Sequence, residues 1–172
     1  YYIRAYASSD FGFKYGEESS FTTDITPSIG DFRDGGRVFY IDSNYFYVAA
    51  SRDRSGSWGT TSDISTDDED GYNNTLNLQA AGSNMANNAL NHSEEGFEDW
   101  YIPSINELTR MFKNRVSARI SQHFNYNNYY GSSDYYSSTQ SSAGSGKGYK
   151  FWGGGSQMTI SSSNRPVRYI RK

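Results

Sequence analysis

The side chains that could do catalytic chemistry are few in this sequence and stand apart from one another. Only His92 and His123 could act as a base at neutral pH or as an imidazole ligand, and neither lies beside a nucleophile pattern. His92 follows a predicted helix beside Glu94 and Glu95, as a helix cap or a solvated group does. The chain has no cysteine, which excludes disulfides, thiol catalysis and cysteine-ligated zinc or iron–sulfur centres. We therefore expect no enzymatic activity.

Glycine-rich segments near the C-terminus do not complete a phosphate-binding loop. Ser141 stands where such a loop, ending in Gly146 and Lys147, needs its first glycine, and Gly148 stands where a magnesium-holding Ser or Thr belongs. The glycine run from Gly153 precedes no helix pattern, so it does not predict a phosphate site either.

An acidic run at residues 67–70 is the best candidate for binding a cation. Carboxylate oxygens are the ligands that calcium prefers. When the run is aligned on Gly71, however, the EF-hand pattern fails at its first position, Thr66, and at its last, Asn77. A structural calcium ion and a solvated acidic loop are both open interpretations, and we expect no other cofactor. The weak metal candidates are Asp67, Asp68 and Asp70.

The C-terminal third has a composition that suits recognition of other molecules. Of the 42 residues from His123 to Asn164, 28 are Tyr, Ser, Gly or Asn, and only Asp134, Lys147 and Lys150 are charged. Surfaces of this kind bind diverse proteins, because tyrosine makes large, stiff contacts while Ser, Gly and Asn adapt their hydrogen bonds. The composition therefore predicts a binding surface.

Aromatic residues in this segment favour folded strands over a low-complexity linker. Period-two alternation places Tyr149 and Phe151 on one face of a strand and Lys150 and Trp152 on the other. The sequence does not decide which face is buried, and an aromatic core is the competing interpretation of the same residues.

Residues 1–23 predict a β-hairpin, because apolar and polar positions alternate around a turn from Asp10 to Gly16. Two strands alone are marginally stable in water, so the hairpin needs something to pack on. It resembles the last two strands of the fibronectin-III and Ig-like repeats of prokaryotic surfaces. We expect it to be the C-terminal hairpin of such a domain, the alternative being an N-terminal hairpin of the main domain.

Residues 24–172 predict an α+β domain with two helices and a small antiparallel sheet. Strands are expected at 37–41 and 45–50, and a helical stripe of apolar residues runs over 74–90. A capping box at Ser104 and Glu107 begins a second amphipathic helix that extends to Val116. Helices placed between strand pairs indicate α+β rather than alternating β-α-β units.

Seven segments, taken in order, resemble one family. They look like the bacterial and archaeal C-type-lectin-fold domains that carry a D-W-(apolar)2-P-S/T-x-x-E-L core and a W/Y-S-S-T strand. The resemblance implies a C-type-lectin-like fold over most of residues 30–172, with Trp100 as a core anchor and Asp99 as a carboxylate that holds backbone amides. The segments are Gly35–Ile41, Val48–Ala50, Trp58–Gly59, Gly71–Thr75, Gly96–Leu108, Tyr136–Thr139 and Arg165–Arg168.

Within that family, residues 126–163 are similar to the variable region of target proteins of diversity-generating retroelements. In those systems, adenine-directed mutagenesis changes Asn codons toward Tyr, Ser, Gly and Asp. The resemblance implies a rigid domain whose varied side chains share one exposed face. The carbohydrate-binding triplets of calcium-dependent lectins are absent from this sequence.

The predicted function is therefore ligand binding through a hypervariable surface, with a non-diversified surface adhesin or envelope domain as the alternative. A metal-dependent or hydrolytic enzyme is a third candidate, which needs a polar concave pocket near His92, His123 or residues 67–70. Tyr130, Tyr136 and Trp152 are expected to be anchors, and Asp134 and Lys150 rim charges. The full set of predicted contact residues is Tyr129, Tyr130, Asp134, Tyr136, Ser141, Tyr149, Lys150 and Trp152.

The expected ligand is a protein or glycan on the surface of another cell, displayed from a virus tail or a cell envelope. A net charge of −3 gives no general attraction to nucleic acid. No apolar run approaches the roughly 18 residues that a membrane span needs, so we expect no membrane insertion.

Overall fold

The structure is a computed structural model that describes residues 2–20, 26–121, 134–151, 154–161 and 163–172. Eleven strands and three helices are defined in this part of the chain. The helices are α1 (Gly71–Ala80), α2 (Asn84–Leu90) and α3 (Ile105–Asn114). The strands are β1 (Tyr2–Ser9), β2 (Gly12–Ser20), β3 (Phe32–Arg33), β4 (Gly36–Ile41), β5 (Phe46–Ala49), β6 (Arg54–Gly56), β7 (Asp134–Ser142), β8 (Ser145–Lys150), β9 (Ser156–Ser161), β10 (Arg165–Val167) and β11 (Ile170–Arg171).

The predicted fold class, α+β with two helices and one small sheet in a C-type-lectin-like arrangement, is wrong. Strands take 40% and helices 19% of the described structure, which is plainly richer in β than a two-helix lectin fold. The strands of this part form several separate antiparallel sheets in the orders β1-β2, β10-β6, β11-β5-β4-β3 and β7-β8-β9.

The predicted helical stripe over 74–90 is two helices because the chain turns between them. Gly82 adopts a φ of +87°, which glycine reaches without steric cost, and Ser83 then caps α2 by accepting a hydrogen bond from the Ala86 amide. The helix that follows the capping box is confirmed but ends at Asn114, so that Val116 is exposed and not part of its buried face.

The core consists of two clusters on opposite sides of the β7-β8-β9 sheet. The first cluster joins α3 and the inner faces of β4 and β5 to Tyr135, Tyr149 and Phe151. The second cluster contains Trp58, Trp100 and the buried sides of α1 and α2, and it receives Tyr136 and Ile160 from the sheet. Side chains alternate across a strand, so the neighbours Tyr135 and Tyr136 enter different clusters.

The hairpin predicted for residues 1–23 is present as β1 and β2, which pair antiparallel with one register shift between Arg4 and Tyr6. Every residue from Ile3 to Ser20 is exposed. One face carries a row of aromatic rings, with the Tyr6 ring centroid 6.4 Å from Phe13 and 6.3 Å from Tyr15. None of the helices in the described ranges is long and apolar enough to cross a membrane.

Candidate functional site

The first turn of α3 contains a deeply buried carboxylate, that of Glu107, which follows the D-W-Y-I-P-S segment. Ser104 accepts a hydrogen bond from the Glu107 amide, and the Glu107 carboxylate accepts one from the Ser104 amide at 2.8 Å. The Tyr101 hydroxyl donates to the other Glu107 oxygen at 3.0 Å. Burial raises the pKa of Glu107, although these hydrogen bonds oppose the shift.

Glu107 is closed off from any substrate. Glu107 is only 1% exposed. The backbone of Gly71 packs closely against its carboxylate, since a Cβ atom placed on Gly71 would lie only 2.3 Å from Glu107 Oε2. A perturbed carboxyl pKa often indicates an active site, but both oxygens here are satisfied by the protein. We therefore assign Glu107 a structural role.

The Y-S-S-T segment fastens β7 to the beginning of α3. The Ser138 amide and hydroxyl both donate to the Pro103 carbonyl, at 2.8 and 3.1 Å. The Thr139 hydroxyl accepts a hydrogen bond from the Ile105 amide at 3.0 Å. Through these contacts the Y-S-S-T segment and the start of α3 stabilise each other. They also hold β7, the first strand of the C-terminal sheet, in place.

Asp99 and Trp100 are also structural. Trp100 is fully buried, as predicted, and its indole N–H donates to the Phe97 carbonyl. Asp99 forms a two-point ion pair with the Arg171 guanidinium, at 2.5 and 2.8 Å, which lowers the pKa of Asp99. The main partner of Asp99 is therefore a guanidinium in β11, a stronger and charged donor pair than the backbone amides that the prediction named.

A second ion pair lies inside the protein. Arg168, which is 0% exposed, contacts Asp53 Oδ1 at 2.6 Å through Nε, and it also donates to the Ala50 carbonyl. The Tyr135 hydroxyl donates to Asp53 Oδ2 at 2.5 Å. This network connects the segment after β10 to the loop before β6 and to β7, so it stabilises the fold.

His92 is a packed side chain and not the solvated group or cap that the sequence predicted. Its ring lies 5.3 Å from Tyr169 and 5.9 Å from Trp100, centroid to centroid, and Nε2 is 3.0 Å from Glu94 Oε2. Burial favours a higher pKa for Glu94, but hydrogen bonds from Ser51 and His92 outweigh it and the pKa is lowered. His123 lies outside the described residues.

The acidic run at residues 67–70 does not converge on a cation. The Asp68 carboxylate pairs with Lys147 Nζ at 2.8 Å, Glu69 pairs with Arg110 at 2.7 Å, and Asp70 caps α1. Asp67 Oδ1 accepts a hydrogen bond from the Glu69 amide. In the part of the chain that the structure describes, no three His, Cys, Asp or Glu side chains come together as a metal ion would require. Each member of the run has a protein partner, which favours a structural loop.

The predicted contact residues fall into three groups. Tyr129, Tyr130 and Trp152 lie outside the described residues. Ser141 is exposed and Lys150 is half-buried. Asp134, Tyr136 and Tyr149 are buried, with exposed fractions of 7%, 0% and 7%, so their prediction as exposed contacts is corrected.

Both faces of β7 and β8 are covered at the end where β7 begins, and this explains the burial. Tyr136 packs against Trp58, and its hydroxyl donates to the Ser161 carbonyl at 2.8 Å. Tyr149 lies 5.0 Å from the Phe112 ring on the other side. Alternation correctly separates the two faces, but on β7 and β8 the side chains of both faces are covered at this end, and exposed ones begin at β9.

Exposed side chains of the same sheet form a separate strip, which we call the tail surface. They lie at the end of β7 and along β9, and they are small or uncharged. Ser141 and Thr159 are joined by a hydrogen bond of 2.8 Å between their hydroxyl oxygens. The members of the tail surface are Ser141, Ser142, Ser156, Gln157, Thr159 and Ser161. Sequence reasoning singled out only Ser141, because aromatic residues gave a stronger signal than Ser, Thr and Gln.

Comparisons with known proteins give no match: neither the models of protein families nor the curated proteins include one that is similar to this chain.

Proposed function

We propose that this chain is a ligand-binding protein, and that it is a target protein of a diversity-generating retroelement whose variable side chains lie on the tail surface. The supporting observation is the separation of roles within the C-terminal sheet. Large aromatic residues fill the two core clusters, whereas the exposed positions carry side chains that the core does not use. Such a sheet can change its exposed residues without changing its fold.

The proposed contact residues differ from those predicted from sequence. They are the tail surface, the half-buried Lys150 at the far end of β8, and the aromatic residues Tyr129, Tyr130 and Trp152, which lie outside the described residues. Ser and Thr hydroxyls and the Gln157 amide can each donate and accept hydrogen bonds, which suits a surface that adapts to different partners. The proposed ligand is a protein or glycan on another cell, met by a virus tail or a cell envelope.

The hairpin supports a modular arrangement. Both of its faces and its aromatic row are exposed, although an isolated hairpin is marginally stable in water. The proposed assignment is therefore the C-terminal hairpin of an Ig-like or fibronectin-III-like domain, with residues 24–172 forming the ligand-binding domain.

A non-diversified adhesin or envelope domain is the second candidate. It is favoured by the burial of Asp134, Tyr136 and Tyr149, because these residues serve the core whether or not any position varies. The two candidates differ in where sequence changes between sibling genes should lie.

The experiment is deep sequencing of the gene, with its sibling copies, from a growing population of the source. Diversification predicts amino-acid changes concentrated at the tail surface and at Tyr129, Tyr130 and Trp152. Tyr136 and Gly146 are the internal controls, since a Cβ at Gly146 would lie 2.4 Å from the Trp58 ring. Changes spread evenly over residues 26–121 and 134–172 would exclude diversification and leave the adhesin.

A further inference from the structure

Strand β9 lies at the edge of its sheet. The strand order is β7-β8-β9, and β9 pairs with β8 in six consecutive residue pairs, from Ser145↔Ser161 to Lys150↔Ser156, without a register shift. In an antiparallel edge strand, alternate residues direct their backbone N–H and C=O groups away from the neighbouring strand. Within the described residues, no backbone group pairs with this outer edge of β9.

Other sheet edges in the described part of residues 26–172 are protected. The edges of the β11-β5-β4-β3 sheet are strands of only two residues, and β10 contains Pro166. The far edge of β7 is covered, because the Ser138 amide donates to the Pro103 carbonyl and the Gln140 amide donates to the Thr66 hydroxyl. Short strands, proline and covering segments are the usual devices that keep edges from pairing with other chains.

β9 has none of these devices. Its sequence, Ser-Gln-Met-Thr-Ile-Ser, contains no charge and no proline, and its pairing contains no bulge. Six residues are also the common length of a strand in a stable sheet. An uncharged edge of this length, without a bulge, is a template for another strand.

We propose that β9 is a strand-addition site, at which an extended peptide segment of the ligand pairs with its outer edge; this inference rests on the proposed ligand-binding function. Main-chain hydrogen bonds supply affinity in this mode of recognition, and alternate side chains supply specificity. These main-chain hydrogen bonds do not depend on which side chains the tail surface carries. A variable surface would therefore keep one constant part of its binding energy.

The side chains of β9 define the chemistry of the peptide. Met158 is half-buried beside the second core cluster, so a residue added next to it on that face is apolar. Gln157 and Thr159 lie on the other face and are exposed, which favours Ser, Thr or Asn in the added strand, since cross-strand hydroxyl pairs stabilise sheets. The strand itself adds no charge at the edge, so the peptide that fits is uncharged over about six residues with alternating apolar and hydroxyl or amide side chains.

The test begins with the full chain and a phage-displayed library of random octapeptides. An enriched peptide is synthesised, and its affinity is measured by fluorescence anisotropy for the wild-type chain, Thr159→Lys and Asn88→Lys. Lysine in an edge strand opposes strand addition, so Thr159→Lys should weaken binding at least tenfold. Asn88 is exposed on α2, so Asn88→Lys adds the same charge and should leave affinity unchanged. Thermal unfolding of both variants checks that they are folded.

Hydrogen exchange locates the peptide. Strand addition predicts that alternate amides of β9 gain protection when the peptide is bound. Protection confined to the turn between β7 and β8, or equal affinity of Thr159→Lys and the wild type, would overturn strand addition while leaving the tail as a binding surface. Failure to enrich any alternating peptide would also overturn it. A dimer of the free chain that Thr159→Lys dissociates would overturn it too, because the occupant of β9 would be a second copy. The sequencing experiment tests the proposed function independently of all these outcomes.

Discussion

Glu107 has the raised pKa that is common in active sites, but its role is structural. Its carboxylate links the helix cap of α3 to the Tyr101 hydroxyl, while burial raises its pKa. A carboxyl group whose pKa is higher in the folded than in the unfolded state favours folding when it is protonated. The contribution of Glu107 to the free energy of unfolding is therefore fully present below its pKa in the unfolded chain, near 4.3. This contribution is lost as the pH rises through its higher pKa in the folded protein.

Substitutions of Glu107 test this balance. Glu107→Ala leaves the Tyr101 hydroxyl and the Ser104 amide without their acceptor, and we expect it to lower the free energy of unfolding by about 2–4 kcal/mol. Glu107→Gln retains an acceptor and cannot ionise. Its loss relative to the wild type should therefore be largest below pH 4 and should shrink toward neutral pH, in urea unfolding measured across that range. A loss for Glu107→Gln that is constant with pH would contradict the raised pKa.

At the scale of elements, the hairpin contrasts with the rest of the chain. β1 and β2 pair with each other over nearly their whole length, with one register shift, yet every residue from Ile3 to Ser20 is exposed. Stability in a sheet comes from packing a face against another layer. The hairpin therefore contributes little to the stability of the remaining residues.

Removal of residues 1–23 should leave the thermal unfolding midpoint of the remaining chain unchanged, as followed by circular dichroism. A replacement of Tyr6, Phe13 and Tyr15 by serine in the full chain is the matched control and should behave in the same way. A decrease of more than about 3 °C in either variant, which corresponds to about 1 kcal/mol in a domain of this size, would mean that the hairpin packs against the main domain.

Local patterns predicted the elements whose signals are contained within a few residues. The capping box of Ser104 and Glu107 correctly located the start of α3, and two apolar runs on either side of a short turn correctly located β4 and β5. The break at Gly82 was missed, because the apolar stripe of α1 and α2 continues across it in sequence. Burial of Tyr136 and Tyr149 could not be predicted either: period-two alternation separates two faces, but only tertiary packing determines that both are covered.

At the scale of the whole molecule, the C-terminal sheet packs against both core clusters, one on each of its faces. Tyr135 faces one cluster and Tyr136 the other, and the Arg168–Asp53 pair crosses from the segment after β10 to the loop before β6. Damage to either cluster therefore disturbs the same sheet, so we expect the two clusters to unfold together as a single cooperative unit.

Leu108→Ala in the first cluster and Leu78→Ala in the second test this cooperativity, since both side chains are fully buried. Each should lower the free energy of unfolding by about 2–5 kcal/mol. Tryptophan fluorescence and far-ultraviolet circular dichroism should report one coincident transition in both variants. Two separate transitions in either variant would show that the clusters unfold independently.

The position of β10 and β11 after the C-terminal sheet has a consequence for error control in gene expression. β10 pairs with β6, β11 pairs with β5, and Arg171 and Arg168 supply the cationic partners of Asp99 and Asp53. A gene copy that acquires a stop codon or a frameshift anywhere in the codons of residues 134–164 loses all four connections at once. Its product exposes the edges of β5 and β6 and leaves Asp53 without the Arg168 guanidinium, so we expect proteases to degrade it. We therefore expect that only products whose reading frame is intact through β10 and β11 resist proteolysis.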